Sequence, residues 1–401
     1  MSTVPKLRFK EFNDSWSIHK LKEITTYVDY RGKTPEKSEQ GVFLVTAKNI
    51  KNGFIDYNCS SEYISPNIYD EAMRRGKPEL GDVLLTTEAP LGNVAQIDRT
   101  DIALAQRVIK FRGRSNLSND FLKQNMLSDG FQRLLLSKAI GSTVLGIQGK
   151  VLHSLPLTVP SREEQQKIAD FLTAVDTRIE QLTRKEALLK QYKKGVMQKI
   201  FSQEIRFKAD DGSEFPEWED KKLGEVVKIA SGKSKSSFIQ ATGKNIIVDM
   251  GGISSTPKLI AKKSTDYDGD YLTTNDLVMP KDDIGGGLII GKVVAIPENN
   301  KYICGDHIYK LTVLSGEIGY LQYAINSYSI NKSFRQKANG TAQIGLNRRE
   351  VESQQVPFPC IEEQQKVYKF LRAIEQKLDH INLQIDTAKQ FKKGLLQQMF
   401  V

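Results

Sequence analysis

From residue 168 onward the apolar side chains recur in alternating steps of four and three: Ile168, Leu172, Val175, Ile179, Leu182, then Leu189, Val196 and Ile200. That spacing is a heptad seam, with Glu186 and Lys193 as its polar interruptions. The same grid returns at Val367, Leu371, Ile374, Leu378, Ile381, Ile385, Ala388, Lys392, Leu395 and Met399. Two helices of about forty residues are predicted, each a rod of roughly 60 Å at a rise of about 1.5 Å per residue. An apolar stripe of that length needs a cover, and the simplest cover within one chain is the other stripe. The first helix is expected to begin at Ser161 as N-cap, with Glu164 three residues on completing a capping box. Cys360 holds the corresponding slot of the second, so that start is expected to be weaker by up to about 1 kcal/mol. Both helices close on a basic pair, Lys193 with Lys194 and Lys392 with Lys393, which suits the negative end of the helix dipole.

Elsewhere the pattern is shorter. Runs such as "GVFLVTA", "DVLLTT", "NIIVDM", "DLVMP" and "GLIIGKVVAI", punctuated by Gly, Pro and Asn, predict strands within residues 25–138 and 227–337. One helix is expected near "NDFLKQNMLSDGFQRLLLS" and another near "EIGYLQYAINSYSINKSFRQK".

These elements are arranged twice. "EEQQK" runs from Glu163 and again from Glu362, an offset of 199, and "PSREEQQKIADFLTAVDTRIE" aligns with "PCIEEQQKVYKFLRAIEQKLD" without a gap. "QYKKGVMQKIF" aligns with "QFKKGLLQQMF", "AIGSTVLGI" with "ANGTAQIGL", and "SWSIHKLKEI" with "EWEDKKLGEV". A period of this size is a domain rather than a solenoid repeat. The expected organisation is a globular unit over 1–160, a long helix over 161–201, a second unit over 202–359 and a second helix over 360–401. The fold class is α/β (mixed α+β), two pseudo-repeated units separated by two long helices pairing as an antiparallel coiled coil. A pseudo-twofold would set the units at opposite ends.

Composition narrows the class. The 401 residues hold 58 Lys plus Arg against 48 Asp plus Glu, a net charge of +10 and a pI near 9.2, which suits a polyanionic partner. The start "MSTVPKLRFKEF" lacks an apolar signal core and no run approaches a membrane span, so a cytoplasmic chain is expected. Cys59, Cys304 and Cys360 lack CxxC spacing and read as thiols rather than a zinc or disulfide framework.

Several loops join glycine to the side chains that reach phosphates and base edges. In the first copy these are "DYRGKT" (Tyr30, Arg31, Lys33, Thr34), "TAKNIKNG" (Lys48, Asn49, Lys51), "LAQRV" (Gln106, Arg107) and "GIQGK" (Gln148, Lys150). In the second they are "ASGKSKSS" (Lys233, Ser234, Lys235), "MPKDDIGGG" (Lys281) and "NGTAQIGLNRRE" (Gln343, Asn347, Arg348, Arg349). Enzyme motifs are not met. "SGKS" fails as a phosphate loop because Val227 stands where a glycine is required. "CGDH" (Cys304, Asp306, His307) reads as a strand end, and Asp282 with Asp283 as a turn. No metal set, glycine-rich cofactor fingerprint or Asn-Pro-Pro-type methyltransferase motif stands out, and no catalytic residue is assigned.

With these residues in view, the chain resembles the specificity subunit of a type I restriction-modification system over essentially its whole length. The resemblance is carried by "EEQQK" after proline in both copies, the helices closing on "KKG", the "GSTVLGI" and "GTAQIGL" stretches, and "PKLRFKEFNDSW" echoed by "IRFKADDGSEFPEW". It implies two target recognition domains, each reading one half of a split double-stranded DNA site, with the helices as a ruler between them. It also implies docking of two modification (methyltransferase) subunits and of restriction subunits. No cofactor is then expected on this chain, with S-adenosylmethionine, ATP and Mg on the partners. Two other readings stay open from residues alone: a coiled-coil scaffold that binds proteins without reading DNA, and a nuclease or methyltransferase in its own right.

Overall fold

The computed structural model describes residues 4–30, 35–284, 286–340 and 344–401. The chain forms two compact units, Met1–Arg184 with Asn382–Val401, and Lys185–Ile381. Helix α1 (Arg162–Phe201) and helix α2 (Ile361–Gln398) run unbroken. Each is divided between the units rather than forming a segment of its own, so compactness cuts across the boundaries drawn from the repeat.

The first unit is built on an antiparallel four-stranded sheet in the order Thr25–Asp29, Val108–Gly113, Val83–Thr87, Leu91–Gln96. A second sheet places Val42–Val45 parallel to Ile102–Leu104. The second unit repeats the plan: Val227–Ser231, Ile308–Val313, Asp276–Pro280 and Val294–Ala295 form one sheet, and Asn245–Val248 lies parallel to Tyr302–Cys304 in the other. In each unit a strand just before the first sheet pairs antiparallel with the strand leading into a long helix, Ser17–Lys20 with Pro156–Val159 and Glu219–Lys222 with Gln355–Phe358.

Where one helix was expected over residues 119–137, there are two, Asn119–Leu127 and Asp129–Ser137. Ser128 sits between them in extended backbone, closes the first helix and caps the second by accepting from the Phe131 N–H at 3.3 Å. Ser327 likewise stands in extended backbone between Ile318–Ile325 and Tyr328–Lys337, but its side chain makes no cap bond and Asn326 closes the first helix of the pair. Serine competes with the helix for its own backbone, and apolar periodicity does not register that break.

The long helices pack antiparallel. In the first unit the start of α1 (Ile168, Ala169, Leu172) shares a core with the end of α2 (Leu395, Met399) and with Trp16, Phe121 and Leu157. In the second, Val367, Leu371 and Ile374 at the start of α2 share a core with Ile200 at the end of α1 and with Tyr320 and Val356. Leu182, Ile381 and Ile385 are buried, while Val175, Ile179, Leu189 and Leu378 are half-buried. Leu172 and Leu371 are fully buried, and each such side chain stabilises by about 2 kcal/mol. The seams therefore meet their own unit as well as the opposite helix. Two polar seam positions are crosslinks rather than gaps, while Glu186 pairs with Lys190 on its own helix at 2.6 Å. Lys193 pairs with Glu375, and Lys392 with Asp176 at 2.6 Å, so each helix gives a lysine to the other's carboxylate.

The repeated "EEQQK" now has a physical reading. Glu164 is buried and does not fold back as a capping-box partner; Arg8 holds it bidentately at 2.7 and 2.8 Å. Glu363 takes Arg206 at 3.2 and 2.8 Å and accepts from the Trp218 indole N–H at 2.8 Å. The next residue, Gln165, accepts from the Ser118 N–H at 2.9 Å and donates to Pro160 O at 3.0 Å. Gln364 accepts from the Glu317 N–H at 2.8 Å and donates to Pro359 O at 2.7 Å. Lys167 pairs with Glu11, and Lys366 with Asp210 at 2.6 Å. The word is a latch tying each helix start to the segment ahead of the strand Ser17–Lys20 or Glu219–Lys222 in its own unit. Ser161 does cap α1, accepting from the Glu164 N–H at 3.3 Å.

Candidate nucleic-acid interface

Both units present the same construction at the end of the sheet's third strand. In the first, the Thr87 N–H donates to Arg107 O at 2.9 Å and the Ile147 N–H donates to Thr87 O at 3.1 Å. Glu88 bridges Gly146. In the second, the Lys281 N–H donates to His307 O at 3.0 Å, the Leu346 N–H donates to Lys281 O at 2.8 Å, and Asp282 pairs with Gly345. Gly146 with Ile147, and Gly345 with Leu346, thus dock on a strand tip, each beside a carboxylate and a basic side chain. Arg107 Nε lies 2.6 Å from Glu88 Oε1, and His307 Nδ1 lies 2.7 Å from Asp282 Oδ2. Arg107 (φ 72°) and His307 (φ 58°) both occupy the left-handed backbone region, which is uncommon outside glycine.

Around the first tip, Gln106 is half-buried, while Gln148 and Lys150 are exposed at the short helix Gly149–Leu152. Around the second, Lys281 is half-buried, Asn347 caps the helix Arg348–Glu352 by accepting from the Glu350 N–H at 3.0 Å, and Arg348 pairs with Glu352 at 2.7 Å. Arg349 is exposed there. Exposed Lys233 and Ser234 follow Gly232, whose N–H donates to Ile308 O at 3.0 Å, one residue from His307. Gly232 owes its place to that approach: a Cβ on it would lie 1.7 Å from Gly305 O. The glycine of "SGKS" makes room for backbone rather than for phosphate.

Three expected contacts are withdrawn. Tyr30 is buried and donates its hydroxyl to Gly76 O. Asn49 is fully buried; its amide donates to Asp56 O at 3.0 Å and Ser60 O at 2.8 Å, and its oxygen accepts from the Thr46 N–H at 2.9 Å. Lys235 is buried against Asp270 at 2.7 Å and holds that carboxyl below its usual range. Each spends its polar atoms inside the protein, which composition could not reveal. Lys48 is exposed on the loop that Asn49 organises, and half-buried Lys51 donates to Lys48 O at 2.7 Å. Arg31, Lys33, Thr34 and Gln343 lie outside the described residues. On the first unit a recess of about 280 Å³ joins Asn52 of that loop to Lys389, Lys392 and Lys393 of α2, with Asp129 also on its lining.

Glu88 is not singled out by the sequence, and His307 and Asp282 read there only as a strand end and a turn. Sliding the chain by 199 sets Glu88 opposite Gly287 and Arg107 opposite Asp306, because the length between the paired positions differs in the two copies. Aligning the strands first would have exposed both pairs. Cys304 is buried, which pushes its thiol up to about 11, so it is no nucleophile at neutral pH. Among the described residues no group of His, Cys, Asp and Glu could hold a metal ion, and no helix is long and apolar enough to cross a membrane.

The family model described as "Type I restriction modification DNA specificity domain" matches residues 13–191 and again 216–389. The type I restriction enzyme MjaVIII specificity subunit of Methanocaldococcus jannaschii is 24% identical over 97% of this chain and 94% of its own length. The MjaIX specificity subunit of the same organism is 22% identical over 96% and 92%. Among solved structures, the type I restriction-modification S subunit from M. genitalium superposes with a TM-score of 0.63 at 16% identity, covering 99% of both chains. A chain from a structure of a type I restriction-modification system superposes with a TM-score of 0.57 at 18% identity, covering 95% of this chain and 96% of that one.

Proposed function

This chain belongs to the type I restriction modification DNA specificity family, and from that premise we propose that each of its two units reads one half of a split double-stranded DNA site. The observation that carries the reading is the doubled strand tip. Two equivalent surfaces, each with a basic side chain beside a carboxylate and further cationic residues on adjoining loops, differ in the side chains they present. Cations and amides at such edges contact phosphates and base edges. Each long helix covers about 60 Å at 1.5 Å per residue, and a DNA turn is about 34 Å, so helix length translates into the gap between half-sites. Engaging two half-sites through one chain raises effective concentration and so specificity.

In this reading the chain is a non-catalytic cytoplasmic subunit. A base to be methylated must leave the stack for a catalytic pocket, which modification subunits bearing S-adenosylmethionine supply. Restriction subunits supply ATP- and Mg-dependent work. The repeated helices offer each of two modification subunits a similar surface.

Mapping methylated bases across the source genome with and without this gene tests the proposal. Loss of methylation at one motif of two defined halves around a fixed gap supports it, and an unchanged map in a strain expressing active modification subunits counts against it. The purified chain should also bind duplexes with a log–log salt slope of roughly −0.9 per phosphate contact.

A further inference from the structure

We propose that Arg107 and His307 are equivalent base-reading residues, one in each unit, with Glu88 and Asp282 as their positioning partners. The inference rests on the DNA-reading function above and assigns its specificity to particular side chains. Arg107 reads a guanine. His307 makes a single contact to a base edge.

Four observations converge. Both residues sit at the same point of the sheet, directly before the strands Val108–Gly113 and Ile308–Val313, and their carbonyls accept from Thr87, the last residue of the neighbouring strand, and from Lys281, the residue just after its counterpart. Both hold left-handed backbone where glycine would be at ease, which is the kind of local strain that gathers at functional sites. Both side chains are about half exposed, 48% for Arg107 and 46% for His307. Both are held by a carboxylate from the facing strand end. An ion pair this exposed adds little stability, so it does not explain a strained backbone kept in both copies.

The chemistry then separates the units. With Glu88 on Nε, the guanidinium keeps a two-donor edge at Nη1 and Nη2, the match for guanine O6 and N7. The imidazole offers one position. With Nδ1 held by Asp282, only Nε2 is left to meet a base edge, so this side chain makes one contact where the guanidinium makes two. Nε2 lies 3.7 Å from Asp306 Oδ2, outside hydrogen-bond range.

The test is selection from a pool of random-sequence DNA duplexes by the full chain, followed by sequencing, for the wild type, Arg107→Lys, Arg107→Ala and His307→Arg. Lysine keeps the charge and loses the fork, so a phosphate contact survives Arg107→Lys and guanine reading does not. The expected result is a roughly ten- to hundredfold loss of preference at one guanine of one half-site in both Arg107 variants, with the other half-site unchanged. His307→Arg should move one position of the other half-site toward guanine. A wild-type motif that Arg107→Lys leaves intact overturns the inference and leaves the DNA-reading function standing. A wild type that selects no motif overturns both. Relaxation of both half-sites together with a lowered melting temperature assigns Arg107 to the framework and also overturns it. Glu88→Gln should weaken the same guanine preference less than Arg107→Ala, as expected of a positioning residue.

Discussion

At the start of α1, Glu164 is buried against Arg8; at the start of α2, Glu363 is buried against Arg206. At the strand tips the positions correspond as closely, yet a guanidinium on Glu88 in one unit becomes an imidazole on Asp282 in the other. Burial explains the contrast. A charge shut inside the protein must keep its partner or cost several kcal/mol, whereas a half-exposed pair can change identity at little cost to folding. The latch is the invariant framework of the two copies, and the tip is where they differ in what they can recognise.

The largest effect expected from this contrast is at the latch. Glu363→Ala strands Arg206 and the Trp218 indole N–H and should cost about 3–5 kcal/mol in urea unfolding, while Glu88→Ala should change stability by less than about 1 kcal/mol. Equal losses would erase the distinction between framework and tip.

Next in size is an acid-sensitive cluster in the first unit. Burial pushes the Asp82 carboxyl up, but hydrogen bonds from Arg112, Lys110 and the Glu79 N–H outweigh it and hold the group below its ordinary value of 3.8. A folded value below the unfolded one adds stability that is complete above the unfolded value and is lost as pH falls through the folded one. Acid unfolding followed below about pH 4 should therefore be flatter in Asp82→Asn than in the wild type. The matching position, Asp276, accepts from Thr312 where Asp82 accepts from an arginine.

A subtler comparison concerns the two crosslinks between helices. Double-mutant cycles for Lys392 with Asp176 and for Lys193 with Glu375 should each give a coupling of about 1 kcal/mol, since the groups are only partly buried. The mismatched cycle, Lys392 with Glu375, should give a coupling near zero. Smallest is the cap: Cys360→Ser should add up to about 1 kcal/mol, or about 2–4 °C in melting temperature, and Ser161→Cys should remove a similar amount.

The sequence by itself determined the tandem duplication, the two long helices and their seams, and the strand-rich units, because each of these is written in local periodicity or in direct self-similarity. It also carried the family, through "EEQQK" and the stretches aligned with it. Only the tertiary structure decided what those letters do. It sent Glu164 to Arg8 instead of to its own helix cap, turned Lys193 and Lys392 from seam interruptions into crosslinks, and buried Tyr30, Asn49 and Lys235 out of the candidate surface. It also brought Arg107 to Glu88 and His307 to Asp282 across gaps of different length. The physical reason is the same each time. A side chain's type fixes which bonds it can make, but which partner lies within about 3 Å, and whether water competes for it, is settled by segments far away in the chain.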